Sequence, residues 1–237
     1  MALLIKNAEL DGIATDVLIE ENRFTKIGAN LVHGDAEILD ASGMALVPTF
    51  VNAHTHASMT LMRSYADDLE LHDWLTNYIW PLEAKLTEED IYHGARLACL
   101  EMIKSGTTCF NDMYWHFHGV ARAVEEMGLR AMLSSVFIDL GSSDQAKQQR
   151  DLTIALHEER ERYSDRIRFA LGPHAIYTVS SDSLRWVKTF SEQNDLPIHI
   201  HVSETEQEVK DCLALRGIRP VQWLEKIGFL GSHTIAA

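Results

Sequence analysis

Two histidines near the start of the chain, His54 and His56, are separated by a single residue. They follow an apolar run, residues 45–48, which we interpret as the end of a buried strand. Residues i and i+2 of a strand point to the same side, so the two imidazoles are predicted to face one point. Neutral imidazole is the commonest protein metal ligand, and this pair could chelate an ion. The alternative is two core or surface histidines that happen to alternate.

A second pair with the same spacing, His199 and His201, lies in another predicted strand, and Glu204 follows it. His201 is nearer the C-terminal end of that strand, so it could meet His54 and His56. Three protein ligands plus a water make an open catalytic zinc site, in which the pKa of the water is about 7. Glu204 is then placed to shuttle a proton to or from that water. The alternative is a buried histidine pair beside a solvated glutamate.

Two further histidine positions are candidate ligands. The pair His116 and His118 follows Tyr114 and Trp115 in a predicted loop, which indicates surface or pocket wall rather than a metal ligand. His174 ends a Gly-Pro-His turn after another predicted strand, and a turn histidine and a pocket residue fit it equally. No lysine stands at the end of that strand to bridge two metals, so we expect one ion.

Predicted strands and helices alternate from residue 46 to residue 237. The clearest helix covers residues 86–105, with Thr87 as its N-cap and Gly106 just past its end. The strands are short and apolar on both sides, which is typical of a parallel sheet covered by helices. Ionisable residues follow the C-terminal ends of successive strands, as in a (β/α)8 barrel, and no glycine-rich phosphate loop indicates a dinucleotide fold.

Residues 46–237 are predicted to contain only six such strands. A barrel of this type has eight strands and typically takes ~250 residues. We therefore expect an incomplete barrel, its first six strands, and interpret the chain as the N-terminal part of a longer protein. Residues 1–45 predict four short strands separated by turns, in a small antiparallel unit.

The composition excludes several classes of function. The chain has 237 residues, 46% of them hydrophobic, and no apolar run long enough to span a membrane, so a soluble protein is expected. The net charge of −14 opposes nucleic-acid binding. Three scattered cysteines and an N-terminus without a signal-peptide pattern favour the cytoplasm.

Taken together, these motifs resemble the amidohydrolase superfamily. The segments that carry the resemblance are residues 48–56, 106–108, 172–174 and 201–205. Within the superfamily, three further segments resemble 5'-methylthioadenosine/S-adenosylhomocysteine deaminases: residues 57–63, 73–83 and 109–114. The resemblance covers the whole chain.

The resemblance implies a (β/α)8 TIM barrel of amidohydrolase type, with residues 1–45 forming part of a small β-sandwich domain. It implies that His54, His56 and His201 bind one divalent metal, usually zinc, and that Glu204 moves protons. The family adds a further histidine and an aspartate, both expected beyond Ala237, so this fragment alone is expected to be inactive.

By the same resemblance, Glu83 is expected to hold the ribose hydroxyls, and Trp74 and His174 to line the nucleoside pocket. Ser135 stands where some members carry an arginine for the homocysteine carboxylate. Arg150 is either a second such arginine or a residue on a helix face. Thr49 also departs from the family, which usually has glycine there.

We therefore expect zinc-dependent deamination of an adenine nucleoside, with 5'-methylthioadenosine or another 5'-deoxyadenosine favoured over S-adenosylhomocysteine. The partner is a small-molecule nucleoside, with no nucleic acid and no membrane, and a homo-oligomer is compatible with the sequence. One alternative is deamination of a free base or pterin, or hydrolysis of an s-triazine, on the same scaffold. Another is a metal-binding fragment without turnover.

Overall fold

The computed structural model describes residues 2–237, and the chain divides into two compact units, one ending at Thr49 and one comprising residues 50–237. The first unit is a four-stranded sheet with the strand order β3-β2-β1-β4. Its strands are β1 Ala2–Leu10, β2 Ile13–Glu20, β3 Arg23–Gly28 and β4 Glu37–Asp40.

Three strands of this sheet pair antiparallel, as expected, but β4 runs parallel to β1. The prediction of an antiparallel unit is therefore wrong for the fourth strand. Asp11 and Gly12, both with positive φ, make the tight turn between β1 and β2. No comparable local signal governs β4, because two other strands separate it from its partner β1 in the chain.

The buried carboxylate of Asp16, in β2, bonds to β1 and to the loop after β3. It accepts hydrogen bonds from the Lys6 ammonium at 2.6 Å and from the backbone N–H groups of Asn7 and Leu31, both at 2.9 Å. The small apolar core of this unit includes Ile5 and Val17.

The second unit is built on six parallel strands in the order β10-β9-β8-β7-β6-β5. They are β5 Phe50–Thr55, β6 Thr107–Tyr114, β7 Arg130–Phe137, β8 Ile167–Pro173, β9 Ile198–Ile200 and β10 Thr234–Ala236. Neighbours in the sheet are consecutive in the chain, so the predicted strand–helix alternation with six strands is confirmed.

Helices connect these strands. They are α1 Leu71–Asp73, α2 Trp80–Glu83, α3 Glu88–Lys104, α4 Phe117–Met127, α5 Ser143–Glu159, α6 Ser181–Asn194, α7 Glu206–Arg216 and α8 Pro220–Lys226. Thr87 is the N-cap of α3, as predicted, and it forms a capping box with Asp90. The hydroxyl of Ser180 caps α6 by accepting from the Ser183 N–H. No helix of the described residues is long and apolar enough to cross a bilayer.

The strand that carries the first histidine pair begins later than expected. β5 starts at Phe50, whose N–H donates to the Gly106 carbonyl at 2.9 Å, and the run at residues 45–48 lies outside it. Pro48 has no N–H to contribute to a strand. Phe50 and Val51 are 69% and 66% exposed, because β5 lies at one end of the sheet. The prediction that residues 45–48 end a buried strand is therefore wrong.

The core of the second unit lies where the helices cover the sheet. Fully buried side chains come from both layers, among them Ile91 and Cys99 of α3, Phe110 of β6 and Ile198 of β9. Strands β7 and β8 approach closely at Gly172, where a Cβ atom would lie 2.6 Å from the Ser135 carbonyl oxygen. Only glycine fits there.

Candidate metal centre and active site

Three histidines converge at the C-terminal ends of the sheet's strands. His54 lies in β5, His56 directly follows that strand, and His201 directly follows β9. The ring centroids are 4.9 Å apart for His54–His56 and His54–His201, and 5.2 Å apart for His56–His201. One ring nitrogen from each lies within 4.8 Å of the others, and within the described residues no other group of this kind occurs.

Hydrogen bonds fix two of these rings in the same way. The Nδ1 atom of His56 lies 2.7 Å from the Met113 carbonyl oxygen, and that of His201 lies 3.0 Å from the His174 carbonyl oxygen. A carbonyl can only accept, so Nδ1 carries the proton in both rings and Nε2 keeps a free lone pair. In the third ring, Nδ1 of His54 lies 2.8 Å from Nε2 of His199.

Two imidazoles of this cluster, those of His54 and His201, are held in the neutral form. Burial, aided by the neighbouring rings of His56 and His201 and opposed by Glu204, lowers the pKa of His54 to about 4. Burial likewise lowers the pKa of His201 to about 4, aided by His56. Neutral imidazole is the form that binds metals.

The donor set fits a single divalent metal ion. Three neutral imidazole nitrogens suit zinc and the neighbouring transition metals, and three protein ligands are the number found at open catalytic zinc sites. Burial and hydrogen bonding have already oriented the rings of His54, His56 and His201. Because the spacing of the three rings and the open Nε2 positions of His56 and His201 agree with this, we assign the three residues to the candidate metal site.

Glu204 is positioned by a strained turn. Ser203 adopts a left-handed conformation with φ of 60°, which is uncommon for a residue with a side chain. The buried carboxylate of Glu208 accepts the N–H groups of Ser203 at 3.1 Å and Glu204 at 2.8 Å. The Tyr177 hydroxyl then donates to Oε2 of Glu204 at 3.3 Å. The turn places the Glu204 carboxyl beside the histidines.

Glu83 is held by two aromatic donors. The Tyr114 hydroxyl donates to Oε1 at 2.7 Å, and the Trp115 indole donates to Oε2 at 3.1 Å. Burial raises the pKa of Glu83, and these two hydrogen bonds oppose the rise. Each carboxylate oxygen therefore has one donor from the protein and keeps a lone pair for another.

These groups face one small cavity of about 120 Å³. Its walls include the predicted residues Glu83, Trp74, His174 and Glu204 together with His56 and His201. Trp74 begins a short π-helix, Trp74–Ile79, between α1 and α2. Short π-helical segments are frequent at functional sites. Burial lowers the pKa of His174 to about 3, and its Nδ1 atom lies 2.9 Å from the Thr178 hydroxyl.

A larger cavity of about 700 Å³ adjoins the first and shares with it the walls Trp80, Glu83, Trp115 and Ile138. Ser135 and the pair His116 and His118 also line it. The rest of its lining is largely apolar, and no arginine or lysine of the described residues belongs to it.

Arg150 is not brought together with the other predicted site residues. It lines a separate cavity between α5 and α6, where its Nη2 atom lies 3.5 Å from the Ser183 hydroxyl. Its guanidinium carbon lies 5.5 Å from the centre of the Trp186 ring. It lines neither of the two cavities beside Glu83.

Several residues of the site carried no predicted role. Tyr114 and Trp115 hold Glu83, while Tyr177 and Glu208 hold Glu204 and its turn. The contacts to Glu83 span 31 and 32 residues, so no local pattern reveals them. The alternating spacing of His199 and His201 did signal that both side chains share one face.

Comparison with known proteins identifies the family. The Amidohydrolase family model matches residues 45–237. This chain belongs to the amidohydrolase family. The predicted fold class, a (β/α) barrel of amidohydrolase type that is incomplete in this chain, is confirmed by the match and by the parallel half-barrel sheet.

The relatives include deaminases. The chain is 47% identical over 242 residues to the 5'-deoxyadenosine deaminase of Methanoregula boonei, covering 100% of this chain and 55% of that protein. It is 46% identical to 5-methylthioadenosine/S-adenosylhomocysteine deaminase 1 of Archaeoglobus fulgidus, covering 99% of this chain and 56% of the relative. The chain thus spans about half the length of the curated relatives it matches.

A solved structure of a deaminase is also similar to this chain. The crystal structure of an adenosine deaminase from Xanthomonas campestris with bound zinc has a TM-score of 0.88 to this chain at 33% identity. The match covers 99% of this chain and 56% of that one.

Proposed function

We propose that the protein carrying this chain catalyses the metal-dependent hydrolytic deamination of an adenine nucleoside, giving the inosine analogue and ammonia. The observation that carries the proposal is a single cavity lined by His56, His201, Glu204 and Glu83. Metal binding, proton transfer and ribose binding can therefore act on one small molecule. The similarity to 5'-deoxyadenosine and 5-methylthioadenosine/S-adenosylhomocysteine deaminases supports the nucleoside class.

His54, His56 and His201 would hold the metal, for which zinc is our choice because the similar adenosine deaminase structure contains it. When bound, such an ion lowers the pKa of water and acts as a Lewis acid. The three rings contribute an orientation that hydrogen bonds already fix.

Glu204 supplies the proton transfer. Its carboxylate takes a proton from the attacking water and delivers it to N1 of the purine. A bond forms between the water oxygen and C6, and the proton that remains on this oxygen passes through Glu204 to the exocyclic nitrogen. The bond from C6 to that nitrogen then breaks, ammonia leaves, and the oxygen stays as the C6 carbonyl. The hydroxyl of Tyr177 orients the carboxylate during this transfer.

Glu83 binds the ribose. A carboxylate with one lone pair free on each oxygen can accept from the 2'- and 3'-hydroxyls together. Trp74 and the neutral ring of His174 line the same cavity and would exclude water from the nucleoside.

The larger cavity specifies the 5'-substituent. It begins at Glu83, where the ribose would lie, and extends past Ser135 without a cation among its lining residues. A carboxylate placed there would lose its water without gaining a charged partner. We therefore propose 5'-methylthioadenosine and 5'-deoxyadenosine as better substrates than S-adenosylhomocysteine. This preference does not depend on Arg150.

A deamination panel on the full-length, zinc-loaded protein tests this function. The substrates are 5'-methylthioadenosine, 5'-deoxyadenosine, S-adenosylhomocysteine, adenosine, guanine, cytosine and an s-triazine. We expect turnover of the 5'-thio and 5'-deoxy nucleosides, and a large loss of kcat/KM for them in Glu83→Ala. Turnover of a ribose-free substrate that Glu83→Ala leaves unchanged would overturn the nucleoside assignment.

A further inference from the structure

His199 contacts a candidate metal ligand directly. Its Nε2 atom lies 2.8 Å from Nδ1 of His54, and the two rings are nearly perpendicular with centroids 4.9 Å apart. The side chain is 0% exposed and lies in β9, on the strand face that it shares with His201. His199 lies in β9, two residues before the candidate ligand His201. It nevertheless contacts a different candidate ligand, His54, which lies in β5 at the far end of the sheet.

We propose that His199 is a positioning residue that holds His54 in its metal-binding tautomer by accepting a hydrogen bond from the Nδ1–H of His54. The proposal rests on the metal site proposed above. It assigns His199 no contact with substrate or metal.

The other two ligands show why such a residue is needed. His56 and His201 each donate from Nδ1 to a backbone carbonyl, which can only accept and so leaves Nε2 open. His54 has an imidazole in place of a carbonyl, and an imidazole can accept or donate. The orientation of this one hydrogen bond therefore decides whether His54 can bind a metal.

Two neutral arrangements satisfy the 2.8 Å contact. If His199 donates from Nε2, the proton of His54 must sit on its own Nε2, which blocks the lone pair facing His56 and His201. If His199 accepts, its proton sits on Nδ1 and the Nε2 atom of His54 is open. The Nδ1 atom of His199 is buried, and besides His54 the backbone of Asp112 acts on this ring as a hydrogen-bond acceptor. Metal binding at His54 is compatible only with the accepting form.

Substitutions with matched amides separate this role from simple packing. The amide of glutamine reaches the position of the imidazole Nε2, whereas the amide of asparagine reaches that of Nδ1. His199→Gln keeps an acceptor for His54, and His199→Asn and His199→Phe do not. The zinc dissociation constant of the full-length, metal-stripped protein, measured by competition with a chelating indicator, is expected to rise about 10- to 100-fold in the last two variants. His199→Gln should stay within a few-fold of the wild type.

The control is Ile200→Val, which alters a fully buried neighbour on the other face of β9 and should leave zinc affinity unchanged. Far-ultraviolet circular dichroism and thermal melting confirm that each variant folds, and if His199→Phe does not, the comparison of Gln with Asn decides. As a second readout, nitrogen-15 spectra of the zinc-loaded wild type should show His199 protonated at Nδ1.

Equal zinc affinity in His199→Asn and His199→Gln, or a His199 protonated at Nε2, would overturn the proposal while leaving the metal site intact. A wild-type protein that binds no zinc would instead overturn the metal site itself, and with it the proposed function.

Discussion

The hydroxyl of Tyr114, at the end of β6, donates a 2.7 Å hydrogen bond to Oε1 of Glu83, at the end of α2. Glu83 is half-buried, and burial raises its pKa, while the hydrogen bonds from Tyr114 and Trp115 oppose the rise. The strand that carries Tyr114 also supplies the Met113 carbonyl that orients His56. One strand end therefore connects the proposed ribose site to the proposed metal site.

Tyr114→Phe should weaken nucleoside binding. A hydrogen bond to a charged group is worth about 1.5–3 kcal/mol, and about 1.4 kcal/mol corresponds to a tenfold change. We expect KM for 5'-methylthioadenosine to rise roughly tenfold or more, with a smaller change in kcat, in steady-state kinetics. Tyr163→Phe is the matched control, since it removes the contact with His118 outside the small cavity. An unchanged KM in Tyr114→Phe would contradict the role given to Glu83.

Ser135→Arg should shift the preference among 5'-substituents. The change adds a cation to a large cavity whose described lining has none, so a substrate carboxylate would gain a charged partner. We expect the ratio of kcat/KM for S-adenosylhomocysteine to that for 5'-methylthioadenosine to rise at least about tenfold. Ser135→Leu adds bulk without charge and should not raise this ratio. If both variants change it equally, charge does not set the specificity.

Asp16 should make the first unit sensitive to acid. The hydrogen bond from Lys6 lowers the pKa of Asp16, and those from the N–H groups of Asn7 and Leu31 add to the effect while burial opposes it. A carboxyl whose pKa is lower in the folded state stabilises that state above its ordinary range, and this is lost as pH falls through the lowered value.

Asp16→Asn should therefore reduce stability near neutral pH, by roughly 1–3 kcal/mol, and much less in acid. Thermal melts of the wild type and the variant, from neutral pH down into acid, measure the difference in stability between them. Hydrogen exchange of β1 is the local readout. The same gap between wild type and variant at all pH values would show that the Asp16 charge does not matter.

Local patterns predicted much of the second unit. Thr87 and Gly106 delimit α3 through capping and backbone rules that act within a few residues, and the strands follow from short apolar runs. The spacing of His54 and His56 predicts two rings on one side, and the structure places them 4.9 Å apart. In each case the relevant contacts lie close together in the chain.

What the sequence could not supply depends on contacts distant in the chain. The contact between His54 and His199 joins residues 145 positions apart. The hydrogen bond from Tyr114 to Glu83 joins the end of β6 to the end of α2, 31 positions apart. Arg150 lies on α5, and its contact with Ser183 of α6 joins residues 33 positions apart. The parallel partner of β4 has the same origin, because strand pairing across two intervening strands has no local signature.

The proton-transfer role of Glu204 is the central claim, and Glu204→Gln tests it most directly when zinc content and deamination are measured on the same sample. We predict wild-type zinc content, because Glu204 is not among the three proposed ligands, and a loss of turnover of roughly 10²-fold or more. Glu206→Gln, which alters an exposed glutamate paired with Lys210 at 2.8 Å, is the matched control and should remain active. Adenine nucleoside deamination at a near wild-type rate in Glu204→Gln would contradict the account.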